Sequence, residues 1–149
     1  MRLAYDFDRF VTAQDAVYAD VVAELRAGRK SSHWMWYIFP QLLGLGRSQR
    51  SQFYGITDRE EAAAYLQHPV LAARLKECTE LAIDQAAGGA ERLFGQPDDL
   101  KFQSSITLFS RVKGSDPVFQ QALDAFFGGV GDTETLRQLR IAFIESLDD

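Results

Sequence analysis

Helix starts and stops recur along this chain from one end to the other, and they constrain its fold more than any other feature. Thr12 and Asp15 have capping-box spacing, and the apolar stripe after them (Val17, Val21, Val22, Leu25) stops at Gly28, a favoured residue just past a helix end. Thr57 and Glu60 form a second such box, opening a helix with Ala62, Ala63, Tyr65 and Leu66. His68-Pro69 closes it, because a residue before proline is pushed out of the helical region, and Pro69 suits the first position of the next helix. In that helix Leu71, Leu75, Cys78 and Ala82 share one face of a 3.6-residue period, ending at Gly88-Gly89. Pro97-Asp98-Asp99, Asp116-Pro117 and Asp132 open three more, with carboxylates beside the positive end of the helix dipole. The expected inward residues are Val118, Phe119, Ala122, Leu123, Phe126 and Phe127 before Gly128-Gly129, then Leu136, Leu139, Phe143 and Leu147. Convincing period-2 alternation between hairpin turns does not appear. The expected fold is therefore all-α: one compact domain over 1–149, with six or seven helices packed orthogonally or as a bundle, and not a coiled coil. Ser31 to Gly55, rich in aromatics and glycine, is expected to be a short helix followed by loop.

Composition narrows the class. With 46% hydrophobic and 25% charged residues over 149 positions, the chain can bury a core without metal or disulfide staples. Its one cysteine, Cys78, lies on an apolar stripe, which reads as a buried structural thiol rather than a nucleophile. A net charge of −5 has the wrong sign for nonspecific nucleic-acid binding. The longest strongly apolar run, Trp34 to Phe39, is far short of the roughly 20 residues that span a bilayer. Met1 to Phe10 carries Asp6, Asp8 and Arg9 and has no apolar secretory core. The expectation is a soluble, cytoplasmic protein with no nucleic-acid or membrane partner and no cofactor, free to form a homo-oligomer.

Most catalytic signatures are missing. There is no phosphate-binding Gly-x-x-x-x-Gly-Lys-Ser/Thr loop and no Gly-x-Ser-x-Gly elbow, and Gly44-Leu45-Gly46 is too short for a dinucleotide fingerprint. His33 and His68 are far apart and in no metal-ligand spacing, so no metal site is expected.

Two segments stand out. Ser31-Ser32-His33-Trp34-Met35-Trp36-Tyr37-Ile38-Phe39-Pro40-Gln41 holds both tryptophans. It reads either as core packing or as an aromatic wall for a planar ligand, with His33 and Gln41 as polar anchors. In Lys101-Phe102-Gln103-Ser104-Ser105-Ile106-Thr107-Leu108-Phe109, one helix face carries Phe102, Ile106 and Phe109, and the adjacent face carries Lys101, Ser104 and Ser105. Hydroxyls are mediocre in helix interiors. Lys101 with Ser104, Ser105 and Thr107 therefore reads either as an anion site or as hydroxyls bonded back to the preceding turn. Arg47 and Arg50, on a Gly-rich loop, could clamp an anion or simply be solvated.

Taken together, Ser-His-Trp-Met-Trp-Tyr-Ile-Phe-Pro-Gln, Gly-Leu-Gly-Arg-Ser, Tyr65-Leu66 with His68-Pro69-Val70-Leu71, and Phe94-Gly95 with Asp99, Lys101-Phe102, Ser104-Ser105 and Thr107-Leu108-Phe109 resemble the DUF1810 family from Phe7 to about Gly129. The resemblance implies a mainly helical single domain and brings no activity. Some members carry the label calpastatin, a name for long, disordered, repetitive inhibitors, which a compact chain with 12% aromatics does not match. His33-Trp34 and Lys101-Phe102 with Leu108 also faintly resemble the NADAR group of N-glycosidases, with Ser32 where that group has an acidic residue.

The functional expectation is a pocket for an anionic small molecule, nucleotide-like or ADP-ribose-like, with hydrolysis open. Trp34 or Trp36 would stack on a planar group. Gln41, Arg47, Lys101, Ser104, Ser105 and Thr107 would bind, and His33 would act as acid or base. The alternative is a protein-interaction module or homodimer that uses surplus apolar surface at Phe119, Phe126, Phe127 and Phe143.

Overall fold

A computed structural model describes residues 5–147. Among them are nine α-helices: α1 (Asp8–Arg26), α2 (Met35–Ile38), α3 (Gln49–Phe53), α4 (Arg59–Tyr65), α5 (Pro69–Ile83), α6 (Ala90–Phe94), α7 (Asp98–Ser110), α8 (Val118–Phe127) and α9 (Thr133–Ser146). Single 3-10 turns occupy Leu43–Leu45 and Ala86–Gly88. The described residues contain no strand, only an isolated parallel bridge between Leu42 and Ile56. The count exceeds six or seven because α2, α3 and α6 have four or five residues each, too few to show a helical period. None of the described helices is long and apolar enough to cross a membrane.

The molecule is organised around α7. Phe102, Ile106, Leu108 and Phe109 are fully buried, and the helix packs against α2, α4, α6, α8 and α9. Phe102 meets Phe39, Phe94 and Phe126 with ring centroids 5.0, 4.4 and 5.3 Å apart, joining four elements in one aromatic cluster. On α5 the anticipated stripe of Leu71, Leu75, Cys78 and Ala82 is buried against α1 and α8. Burial pushes the Cys78 thiol up to about 12, so it stays protonated and inert at neutral pH.

The helix ends show where local signals hold. His68 caps α5 through Nδ1, which accepts from the Val70 and Leu71 amides at 3.2 and 3.3 Å. Asp132 caps α9 by accepting from the Thr135 amide at 2.9 Å, and Gly128 ends α8 in the left-handed region.

Four expectations differ from the structure. α5 ends at Ile83 rather than at Gly88-Gly89, and a separate 3-10 turn at Ala86–Gly88 fills the gap. α1 starts at Asp8 rather than near Thr12, because Phe7 and Phe10 pack edge-on to Tyr65 (5.7 and 5.2 Å) and draw the first turn onto the body. The cap of α4 is Asp58 rather than Thr57, and the reciprocal partner is Glu61 rather than Glu60. Asp58 accepts from the Glu61 amide, while the Glu61 carboxylate accepts from the Thr57 amide and hydroxyl, all at 2.8 Å. On α9 Leu139 is buried, but Phe143 and Leu147 are 55% and 69% exposed, because the described residues from Arg140 onward only border an open groove beside Thr57, Asp58, Arg59 and Glu60 instead of packing against the core. Phe119 is buried and Phe126 and Phe127 pack against the core, so of the four phenylalanines expected at an interface only Phe143 is exposed.

Candidate functional site

The aromatic segment is positioned by a carboxylate. Gly28 ends α1 with φ of +79°, in the left-handed region, and a Cβ there would lie 2.8 Å from Gln85 Oε1, so the tight turn needs glycine. The returning chain wraps around Glu24, which accepts from the Ser31 amide (2.6 Å), the Ser32 amide (2.9 Å), the Ser32 hydroxyl (2.5 Å) and the Trp34 indole (2.9 Å). Burial alone would raise this carboxyl. The hydrogen bonds from Ser32, Ser31 and Trp34 outweigh it and hold the group at about 2.

Trp34 is thereby locked into the core at 1% exposure and presents no ring face to a ligand. Trp36, two residues on, is only half-buried. The Arg50 guanidinium and the Lys101 ammonium lie over its ring at 5.0 and 5.1 Å. Trp36, Gln41 and Lys101 line one hollow with Ser51 and Tyr54, so three of the anticipated residues from two distant segments do converge. The hollow measures only about 10 Å³, room for about one water.

A ladder of charge continues from there. Lys101 pairs with Asp98 at 3.5 Å, and Asp98 pairs with Lys30 at 2.8 Å. The Lys30 ammonium lies 5.2 Å from the Trp34 ring. Lys30 also lines an open cleft of about 610 Å³ with Arg29, Glu91 and Arg92.

The remaining anticipated residues are elsewhere. The Ser104 hydroxyl donates to the Leu100 carbonyl at 3.0 Å, and that of Thr107 donates to the Gln103 carbonyl at 2.7 Å, both closing onto the preceding turn. Thr107 also accepts from the Asp132 amide at 2.9 Å, fixing the chain just before α9. Ser105 is fully buried, its hydroxyl without a partner, and it does not line the hollow. These hydroxyls face the protein because α7 is surrounded on nearly all sides; they do not gather around Lys101. His33 is exposed, and no hydrogen bond from a described residue orients its ring; only its carbonyl is engaged, by the Tyr37 hydroxyl at 3.4 Å. Arg47 is exposed on the loop before α3.

Sequence reasoning missed the Glu24 anchor, the Asp98 bridge and the Arg29–Arg92 cleft. The sequence leaves Arg50 as either an anion clamp or a solvated loop residue, and nothing local points to its position over Trp36. A carboxylate seven residues before Ser31 carries no local signal, and Arg92 lies on a helix too short to read. The adjacent cations Arg29-Lys30, straight after a helix-ending glycine, were the one available clue.

Comparison with known proteins agrees with this architecture. The crystal structure of the conserved hypothetical protein Rv1873 from Mycobacterium tuberculosis is similar, with a TM-score of 0.89 and 50% sequence identity, over 91% of this chain and 97% of that one. A search of curated proteins finds no match. The model of the DUF1810 family, described as a protein of unknown function, matches residues 4–139. Mainly helical, without strands among its described residues, and matched over nearly its whole length, the chain belongs to the DUF1810 family.

Proposed function

We propose that this protein binds a small anionic molecule on its Trp36 edge. The observation that carries the reading is the half-buried indole of Trp36 set between two cations from different helices, Arg50 and Lys101. Gln41 and Ser51 supply neutral polar groups beside it. The hollow behind Trp36 is too small for more than a water, so the ligand lies over the rim rather than inside. Its negative charge meets Lys101 and Arg50, with Arg47 on the neighbouring loop. Those two cations cover the indole ring, so a nucleotide-like compound would meet them through its phosphate rather than stack on Trp36.

The geometry supports binding more than hydrolysis. The Ser104 and Thr107 hydroxyls are committed to backbone carbonyls, and no described group orients the His33 ring as a base.

Lys101→Ala is the test, with binding read by thermal shift against nucleotides and ADP-ribose. The Lys101–Asp98 pair is long and partly exposed, so its loss leaves the melting temperature of the free protein nearly unchanged. The ligand-induced rise should shrink as affinity falls about tenfold, the effect of losing one charge-assisted contact. An unchanged ligand response, or a large loss of stability without one, makes Lys101 structural and refutes the reading.

A second reading, self-association through α9, is favoured by one observation. Phe143, Ile144 and Leu147 are at least half exposed beside a groove of about 430 Å³ lined by Leu42, Leu139 and Ala142.

A further inference from the structure

We propose that the cleft between the Arg29-Lys30 segment and α6 is a separate ligand site for a sugar phosphate. The backbone builds it. After the Gly28 turn the Lys30 amide donates to the Leu93 carbonyl at 2.7 Å, pinning the segment to α6, and Gln85 donates to the Arg26 carbonyl at 3.2 Å behind it. The cleft is open to solvent on one side, and its volume of about 610 Å³ lies within the roughly 300–1,000 Å³ typical of small-molecule sites. Three cations meet one carboxylate there, on a chain whose net charge is −5.

The three cations are not equivalent. The Lys30 side chain is 7% exposed and held by Asp98, so its charge belongs to the wall. The guanidinium groups of Arg29 and Arg92, both exposed, make no hydrogen bond or ion pair with any described residue, as is also true of Arg26, Arg47, Arg59 and Arg140; only these two line the cleft. Arg92 is also seated: a Cβ on Gly88 would come within 3.1 Å of its Cδ, so the stem lies across a bare glycine. Two guanidinium forks facing one cleft match the oxygens of a phosphate group, which each can hold in a bidentate manner. Glu91, acceptor-only when ionised, suits a ligand that presents hydroxyls beside its phosphate. Gly95 has open space where a Cβ would be, and Phe94 borders the cleft.

The test is calorimetric titration of ribose 5-phosphate, inorganic phosphate and ribose at fixed ionic strength. The proteins are wild type, the Arg29→Ala/Arg92→Ala double variant, Gly88→Ala, Lys101→Ala and Lys113→Ala. Ribose 5-phosphate should bind wild type more tightly than inorganic phosphate does, and ribose should not register. The double variant should lose about tenfold or more in affinity. Gly88→Ala, whose Cβ would press on the Arg92 stem without removing charge, should also weaken binding. Lys113→Ala, a cation outside the cleft, should stay within about twofold, and Lys101→Ala should lose less than the double variant. Loss in Lys101→Ala alone would leave the Trp36 reading standing and overturn this one. Equal losses in Lys113→Ala and the double variant would reduce the effect to bulk charge and overturn it. Inorganic phosphate binding as tightly as ribose 5-phosphate, or no heat from either at millimolar concentration, would also overturn it. Gly88→Ala keeps the test decisive if the double variant fails to fold.

Discussion

Glu24 gathers four donors from the segment that follows its own helix, among them the Trp34 indole that it holds in the core. Because the folded protein holds this carboxyl at about 2, below its ordinary value near 4.5, its contribution is fully present above pH 4.5. It is lost as pH falls from there through about 2, where the folded state also takes up the proton. Glu24→Gln keeps the shape but turns an acceptor-only group into one that also presents donors to donors. At pH 7 it should lose about 1–2 kcal/mol in urea unfolding, discounted for partial exposure, and expose Trp34 to iodide quenching. The gap between variant and wild type should close as pH approaches 2. A constant gap, or none at pH 7, would remove Glu24 as the anchor. At this scale the sequence was half legible. The Ser-Ser-His-Trp-Met-Trp run stood out as unusual, but which tryptophan faced the core could not be read from it, since that choice belongs to a carboxylate on another element.

Elements were more legible than single side chains. The stripes on α5 and α8 are buried as their periodicity implied, because a helix in a compact domain of this size buries its apolar face against neighbours. Periodicity failed where its premise failed. The α9 stripe of Leu136, Leu139, Phe143 and Leu147 is continuous in sequence, but burial ends at Leu139, past which the helix only borders an open groove. The family match also ends at residue 139, so the exposed turns lie outside what defines the family. The hydroxyls of α7 misled for the opposite reason: on a helix enclosed on most sides, Ser104 and Thr107 turn theirs onto its own carbonyls, and Thr107 also accepts from the approach to α9. If the exposed end of α9 pairs two chains, sedimentation should show a monomer–dimer equilibrium that Phe143→Asp shifts wholly to monomer. A strict monomer at every concentration in the wild type would eliminate that reading.

On the scale of the whole molecule, an acidic chain carries one cationic edge, running from Arg50 over Trp36 to Lys101, through Asp98 to Lys30 and into the Arg29–Arg92 cleft. Its parts come from α3, α7, the segment after α1, and α6. Composition averaged over 149 residues conceals it, and only the fold brings it together. The two indoles provide a direct internal comparison, one bonded to Glu24 in the core and one at the cationic rim. Nitrogen-15 NMR resolves both indole N–H groups, so titration with ADP-ribose tests the central claim most directly. The Trp36 signal should move saturably while that of Trp34 stays fixed, and Lys101→Ala should abolish the movement. Both signals unmoved, or a Trp36 shift that survives Lys101→Ala unaltered, would contradict it.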